Sequence, residues 1–116
     1  MDSPLSAAEL AELEATVLPG LERHHLRLLA HGLRTLQAIA GRRKGEPPAQ
    51  EAIEAWALQQ PAIAADPHFL RAFAAQLHAT AEQLRAIAAA EPCSPLALEL
   101  PQLIRWSQAQ ADARVR

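Results

Sequence analysis

The side chains of this chain that could do chemistry beyond packing are five histidines, one cysteine and a block of arginines. His24 and His31 stand seven residues apart, two helical turns or about 10 Å along an axis, which is too far to share one metal ion. Cys93 is the single cysteine, so no internal disulfide and no CxxC zinc element can form. It lies with Ser94 in a proline-rich turn that supplies no base, which leaves nucleophilic catalysis without its second member. These spacings point to no enzyme, no metal and no cofactor.

The basic residues carry more information. Residues 1–22 contain five acids and no base, whereas residues 23–44 contain six bases and no acid, although the whole chain has a formal charge of only −2. Within that block Arg27 and Arg34 lie four before and three after His31, so one helix face brings all three within reach of one anion. Arg23 joins this face and Arg42, Arg43 and Lys44 follow it in a loop. Together they form a candidate binding surface for an acidic protein partner. The same arc can equally pair with the acidic first helix inside the domain. Nucleic acid fits poorly, because the basic block is flanked by acids, the pI is 6.2 and aromatics make up 3% of residues.

Positioning these side chains requires helices. Ala supplies 27 residues and Leu 18, while Val, Ile and Thr together supply 10. The expectation is a single all-α domain over 1–116, a four- or five-helix up-down bundle, with disorder over 1–5 and a frayed tail over 112–116. Ser6 and Glu9 form a capping-box signature opening helix 1 over about 7–18, with Leu10, Leu13 and Val17 inward. Helix 2 runs from Leu21 to Ala40 and is stopped by Gly41. Its apolar arc holds Leu21, Leu26, Leu28, Leu29, Leu33, Leu36 and Ile39, with His25 facing the core and Gly32 marking a close helix approach. GRRKGEPP is a loop, helix 3 covers 48–59 with Ala49, Ile53, Trp56 and Ala57 inward, and PAIAAD adds a turn. Asp66 and Pro67 open helix 4 over 67–90. Helix 5 spans 95–112, bent near Pro101, and Trp106 sits at its apolar edge, in the core or as an anchor for a partner. The alanines at 72, 75, 79, 86 and 90 give helix 4 a second packing side, suited to a central helix and to helix 5 or a homodimer. No apolar run approaches a membrane span and no secretory signal is present, so the cytoplasm of a bacterium is the expected setting.

The run LAHGLRTLQAIAG, residues 29–41, resembles the active helix of histidine phosphotransfer domains. There an exposed histidine is followed by an aliphatic residue at the second position and a basic one at the third, as in His31, Leu33 and Arg34, and Gly41 matches a later glycine. The resemblance implies an alternative function in which His31 accepts a phosphoryl group and Arg34 screens its charge.

Overall fold

In the computed structural model, which describes residues 4–115, the chain is built from helices set by local capping and proline chemistry. Ser6 Oγ accepts the Glu9 N–H at 3.1 Å and Glu9 Oε1 accepts the Ser6 N–H at 3.0 Å. This capping box opens α1, Ala7–Glu14. α2, Gly20–Ala40, ends where Gly41 adopts φ 71°, a left-handed conformation that glycine takes without a Cβ penalty. α3 (Gln50–Leu58) and the single turn α4 (Pro61–Ala64) precede α5, Pro67–Ala90, whose N–H groups at His68 and Phe69 are capped by Asp66. A 3-10 turn at Pro95–Ala97 leads into α6, Leu100–Arg114. The described residues hold no strand.

The all-α class therefore holds for the described residues, which form six α-helices in place of the expected four or five. The difference arises at prolines. Pro61 starts its own turn, and Pro101 lies in the first turn of α6, where its missing N–H costs nothing, instead of bending a helix that began at 95. Helix 1 ends at Glu14, four residues early, and Val17 is 94% exposed. Toward the two ends Leu5 is buried and α6 runs to Arg114. The remaining part of the 1–5 expectation, residues 1–3, lies outside the described residues, as does residue 116.

α2 is the central element, packing against α1, α3, α5 and α6. Leu26, Leu29, Leu33 and Leu36 form its inner stripe within a core cluster that runs in sequence from Leu5 to Ala111. Each fully buried Leu contributes about 2 kcal/mol by area removed from water. Leu21 and Leu28, expected in the same arc, lie at its edges and are 63% and 46% exposed. The expected second packing side of the 67–90 helix is solvent-facing: Ala72, Ala75, Ala79, Ala86 and Ala90 are all exposed, and so is Ala49 of the α3 N-cap. Gly32 is the close approach. A Cβ built there would stand 2.6 Å from Thr80 Cγ2 on α5, so only glycine lets the two helices meet at this distance.

Candidate functional site

The basic face predicted from sequence divides into two groups with different surroundings. In the first, α1 lies across α2 and takes up its cations. Arg34 donates from Nη2 and Nε to Glu9 Oε2 at 2.6 and 2.9 Å, and from Nη1 to Gln37 Oε1 at 2.8 Å. Arg27 pairs with Glu14. The Arg34 hydrogen bond, with the Ser6 N–H beside it, holds the Glu9 carboxyl below the usual carboxylate range. The arc that could have received an external anion is thus partly matched by acids thirteen and twenty-five residues away in sequence.

His31 lies apart from these pairs. It lines a cleft of about 120 Å³ between α2 and α5, together with Leu28, Thr35, Phe73 and Gln76. Burial there pushes its pKa below the ordinary histidine value, so the neutral imidazole is favoured. Phe73 continues this surface, stacking on Trp56 with ring centroids 6.0 Å apart and meeting Phe69 at 6.3 Å.

The second group remains at the surface. Arg42, Arg43 and Lys44 follow the C-terminal end of α2, where cations complement the helix dipole. All three are exposed. Their loop is held in shape by backbone and hydroxyl bonds: the Gly45 N–H donates to Ser94 Oγ at 2.7 Å and the Leu96 N–H to Gly45 O at 3.1 Å. Arg42 Nη1 donates to the carbonyls of Lys44 and Glu46 at 3.1 and 3.0 Å. The one carboxylate of this loop, Glu46, turns away to Arg85 Nε at 3.0 Å. A cleft of about 370 Å³ opens beside Arg34, Arg42 and Arg43, and among the described residues no carboxylate lines it. Arg23 sits at the opposite end of α2 and does not join this group.

Sequence reasoning missed three polar side chains. Gln37 is buried and bridges Arg34 to the Leu96 carbonyl, with Nε2 donating at 2.8 Å. Glu22 is buried and held by Arg114, Nε to Oε1 at 2.7 Å and Nη2 to Oε2 at 2.9 Å, a contact across 92 residues. Ser107 is 1% exposed. Only their placement near an apolar arc could have signalled them. Glu22 and His25 also stand at Glu-x-x-His spacing, yet Arg114 occupies the carboxylate, and among the described residues no group of three His, Cys, Asp or Glu side chains is placed to hold a metal ion. Among the same residues no helix is long and apolar enough to cross a membrane.

Fold and surface together define a small all-helical protein whose exposed chemistry is charge arranged around one central helix. The chain belongs to the family of the NDH complex assembly factor CRR9, whose model matches residues 5–114. No curated protein and no solved structure matches it. This membership corrects the phosphotransfer resemblance of residues 29–41. The geometry gives the physical reason, since Arg34 is committed to Glu9 and Gln37 and His31 is half-buried against Phe73 and Leu28. The family description gives assembly of the NDH complex as the setting and supports neither the bacterial nor the cytoplasmic expectation.

Proposed function

We propose that this protein is a non-enzymatic helper in assembly of the NDH complex, and that it docks on an acidic surface of a subunit through Arg42, Arg43 and Lys44. The family match over nearly the whole chain is the observation that carries the assembly role. The docking face is favoured by contrast within one molecule. Arg27 and Arg34 already have carboxylate partners, while the three loop cations follow one another on a braced loop whose only acid is turned toward Arg85. A loop held in one shape loses little entropy on binding, and clustered cations speed encounter with an acidic surface.

The test is affinity capture of the tagged protein from cells that make the complex, with NDH subunits identified by mass spectrometry. Wild-type protein is expected to retain one or more NDH subunits, and an Arg42→Glu, Arg43→Glu, Lys44→Glu variant to lose them while keeping its helical content, with Arg43→Glu, Lys44→Glu alone, which spares the Arg42 bonds to the loop carbonyls, weakening capture in the same direction. Loss of the protein from those cells should lower the amount of assembled complex. Unchanged assembly in such cells would remove the assembly role, and undiminished capture by the triple variant would remove the docking face.

A further inference from the structure

The first turn of α2 and the middle of α6 enclose a cleft of about 330 Å³ that the charged loop does not touch. Leu21, Glu22, His25, Gln83, Trp106 and Ser107 line it. Leu21 and the rings of Trp106 and His25 form its apolar and aromatic part. The Trp106 and His25 rings meet at 5.8 Å with a 37° tilt, and Leu21 is 63% exposed alongside them.

Gln83 and Gln110 add amides at its wall, and two further polar groups bear on what can enter. Glu22 is ion-paired with Arg114, Nη2 donating to Oε2 at 2.9 Å and Nε lying 2.7 Å from Oε1, so its charge is already matched by a cation of the chain. Ser107 is the reverse case. It is 1% exposed, and its hydroxyl has no hydrogen-bond partner among the described residues. A helical serine ordinarily satisfies itself on the carbonyl four residues back. A buried hydroxyl left unmatched carries a desolvation cost, and a ligand group that completes it gains the net value of one hydrogen bond.

We infer that this cleft is a receptor for a phenol, the side chain of a tyrosine presented by the protein's assembly partner. The ring would lie against Trp106 and His25, and its hydroxyl would bond to Ser107 Oγ. Aromatic rings with one polar end are the side chains that fill such pockets at protein interfaces. A second copy of this chain cannot supply the group, because its sequence contains no tyrosine. The identity of the partner as an assembly subunit rests on the function proposed above.

The experiment uses the full chain with Trp56→Phe, so that Trp106 is the only indole, and follows the Trp106 and His25 signals by NMR during titration with p-cresol and, separately, toluene. Saturable shifts at these two residues are expected, with p-cresol bound roughly 3–10-fold more tightly than toluene, the ratio one net hydrogen bond supplies. Ser107→Ala should abolish that preference while leaving the thermal midpoint equal or higher. Equal binding of the two probes, or a midpoint several degrees lower in Ser107→Ala, would overturn the inference, the latter because the hydroxyl would already be satisfied. If p-cresol binds as expected and no NDH subunit is captured, the pocket stands and the assembly reading falls. If subunits are captured and p-cresol gives no saturable shift, the pocket falls and the assembly reading stands.

Discussion

Arg34 of α2 grips Glu9 of α1 with two nitrogens on one oxygen, at 2.6 and 2.9 Å, across 25 residues of sequence. The side chains are 12% and 23% exposed, so solvent screens them less than it does the more exposed Arg27–Glu14 pair. This contact ties the short α1 to the central helix. It also removes from the surface the cation that sequence spacing had offered to an external anion.

A double-mutant cycle with Glu9→Gln and Arg34→Met should therefore give a coupling of about 1 kcal/mol, at the upper end for a partly exposed pair. Glutamine at position 9 can still accept the Ser6 N–H, so the cap is retained and the ion pair alone is removed. Chemical denaturation of the four proteins measures the coupling. A value indistinguishable from zero would mean that α1 is held by Leu13, its apolar neighbours and the Arg27–Glu14 pair without help from Glu9.

Stability should fall in two stages as the solution is acidified. His31 has its pKa lowered by burial, so the unfolded chain binds its proton first and stability declines as pH drops below the ordinary value of 6.5. Glu9 is lowered by Arg34, so its contribution is complete above the ordinary value of 4.5 and is lost as pH falls further through the folded pKa. Urea midpoints at pH 7.5, 5.5 and 3.5 measure both stages. His31→Gln should flatten the first and Glu9→Gln the second. A His31 NMR titration with its midpoint above 6.5 would contradict the burial.

What sequence made legible was local. The Ser6–Glu9 box, the Gly41 stop and the Asp66–Pro67 start each depend on residues within four positions of one another, and each is found where the spacing predicts. The break between the 3-10 turn and α6 was not legible, because Leu96, Leu98, Leu100 and Leu103 are all buried and read as one amphipathic stretch, although Glu99 caps a new helix between them. Nor could spacing reveal that Glu22 meets Arg114, or that the basic arc divides into paired and exposed cations. Those contacts depend on which helices become neighbours, and charge blocks give only their sign.

Gly32 was legible as a crossing point, and it yields a prediction about sign. Alanine ordinarily gains about 1 kcal/mol over glycine within a helix. Here its Cβ would lie 2.6 Å from Thr80 Cγ2, on a stiff β-branched side chain that is itself buried, so the helices must shift. Overpacking of this kind costs about 1–3 kcal/mol, and Gly32→Ala is expected to be destabilising overall. Adding Thr80→Ser removes the offending methyl and should return the variant to at least wild-type stability. Thermal melts of the single and double variants decide it, and a Gly32→Ala protein more stable than wild type would show that α2 and α5 do not approach this closely.

Gln37 should prove the most sensitive polar side chain of α2. It is 6% exposed and satisfies two groups at once, donating to the Leu96 carbonyl at 2.8 Å and accepting from Arg34 at 2.8 Å. Leu96 in turn donates its N–H to Gly45 O, so the same side chain indirectly steadies the loop that carries Arg42, Arg43 and Lys44. Gln37→Leu keeps an apolar body but strands a buried carbonyl and a guanidinium N–H, which should cost about 1–3 kcal/mol. Gln37→Glu keeps the acceptor for Arg34 and loses the donor to Leu96, so it separates the two roles. If the Leu96 bond dominates, both variants should speed hydrogen exchange at the Leu96 amide. If the Arg34 bond dominates, only Gln37→Leu should loosen α1. A Gln37→Leu protein within about 0.5 kcal/mol of wild type, the range of an ordinary surface change, would show that the bridge does not brace the basic loop.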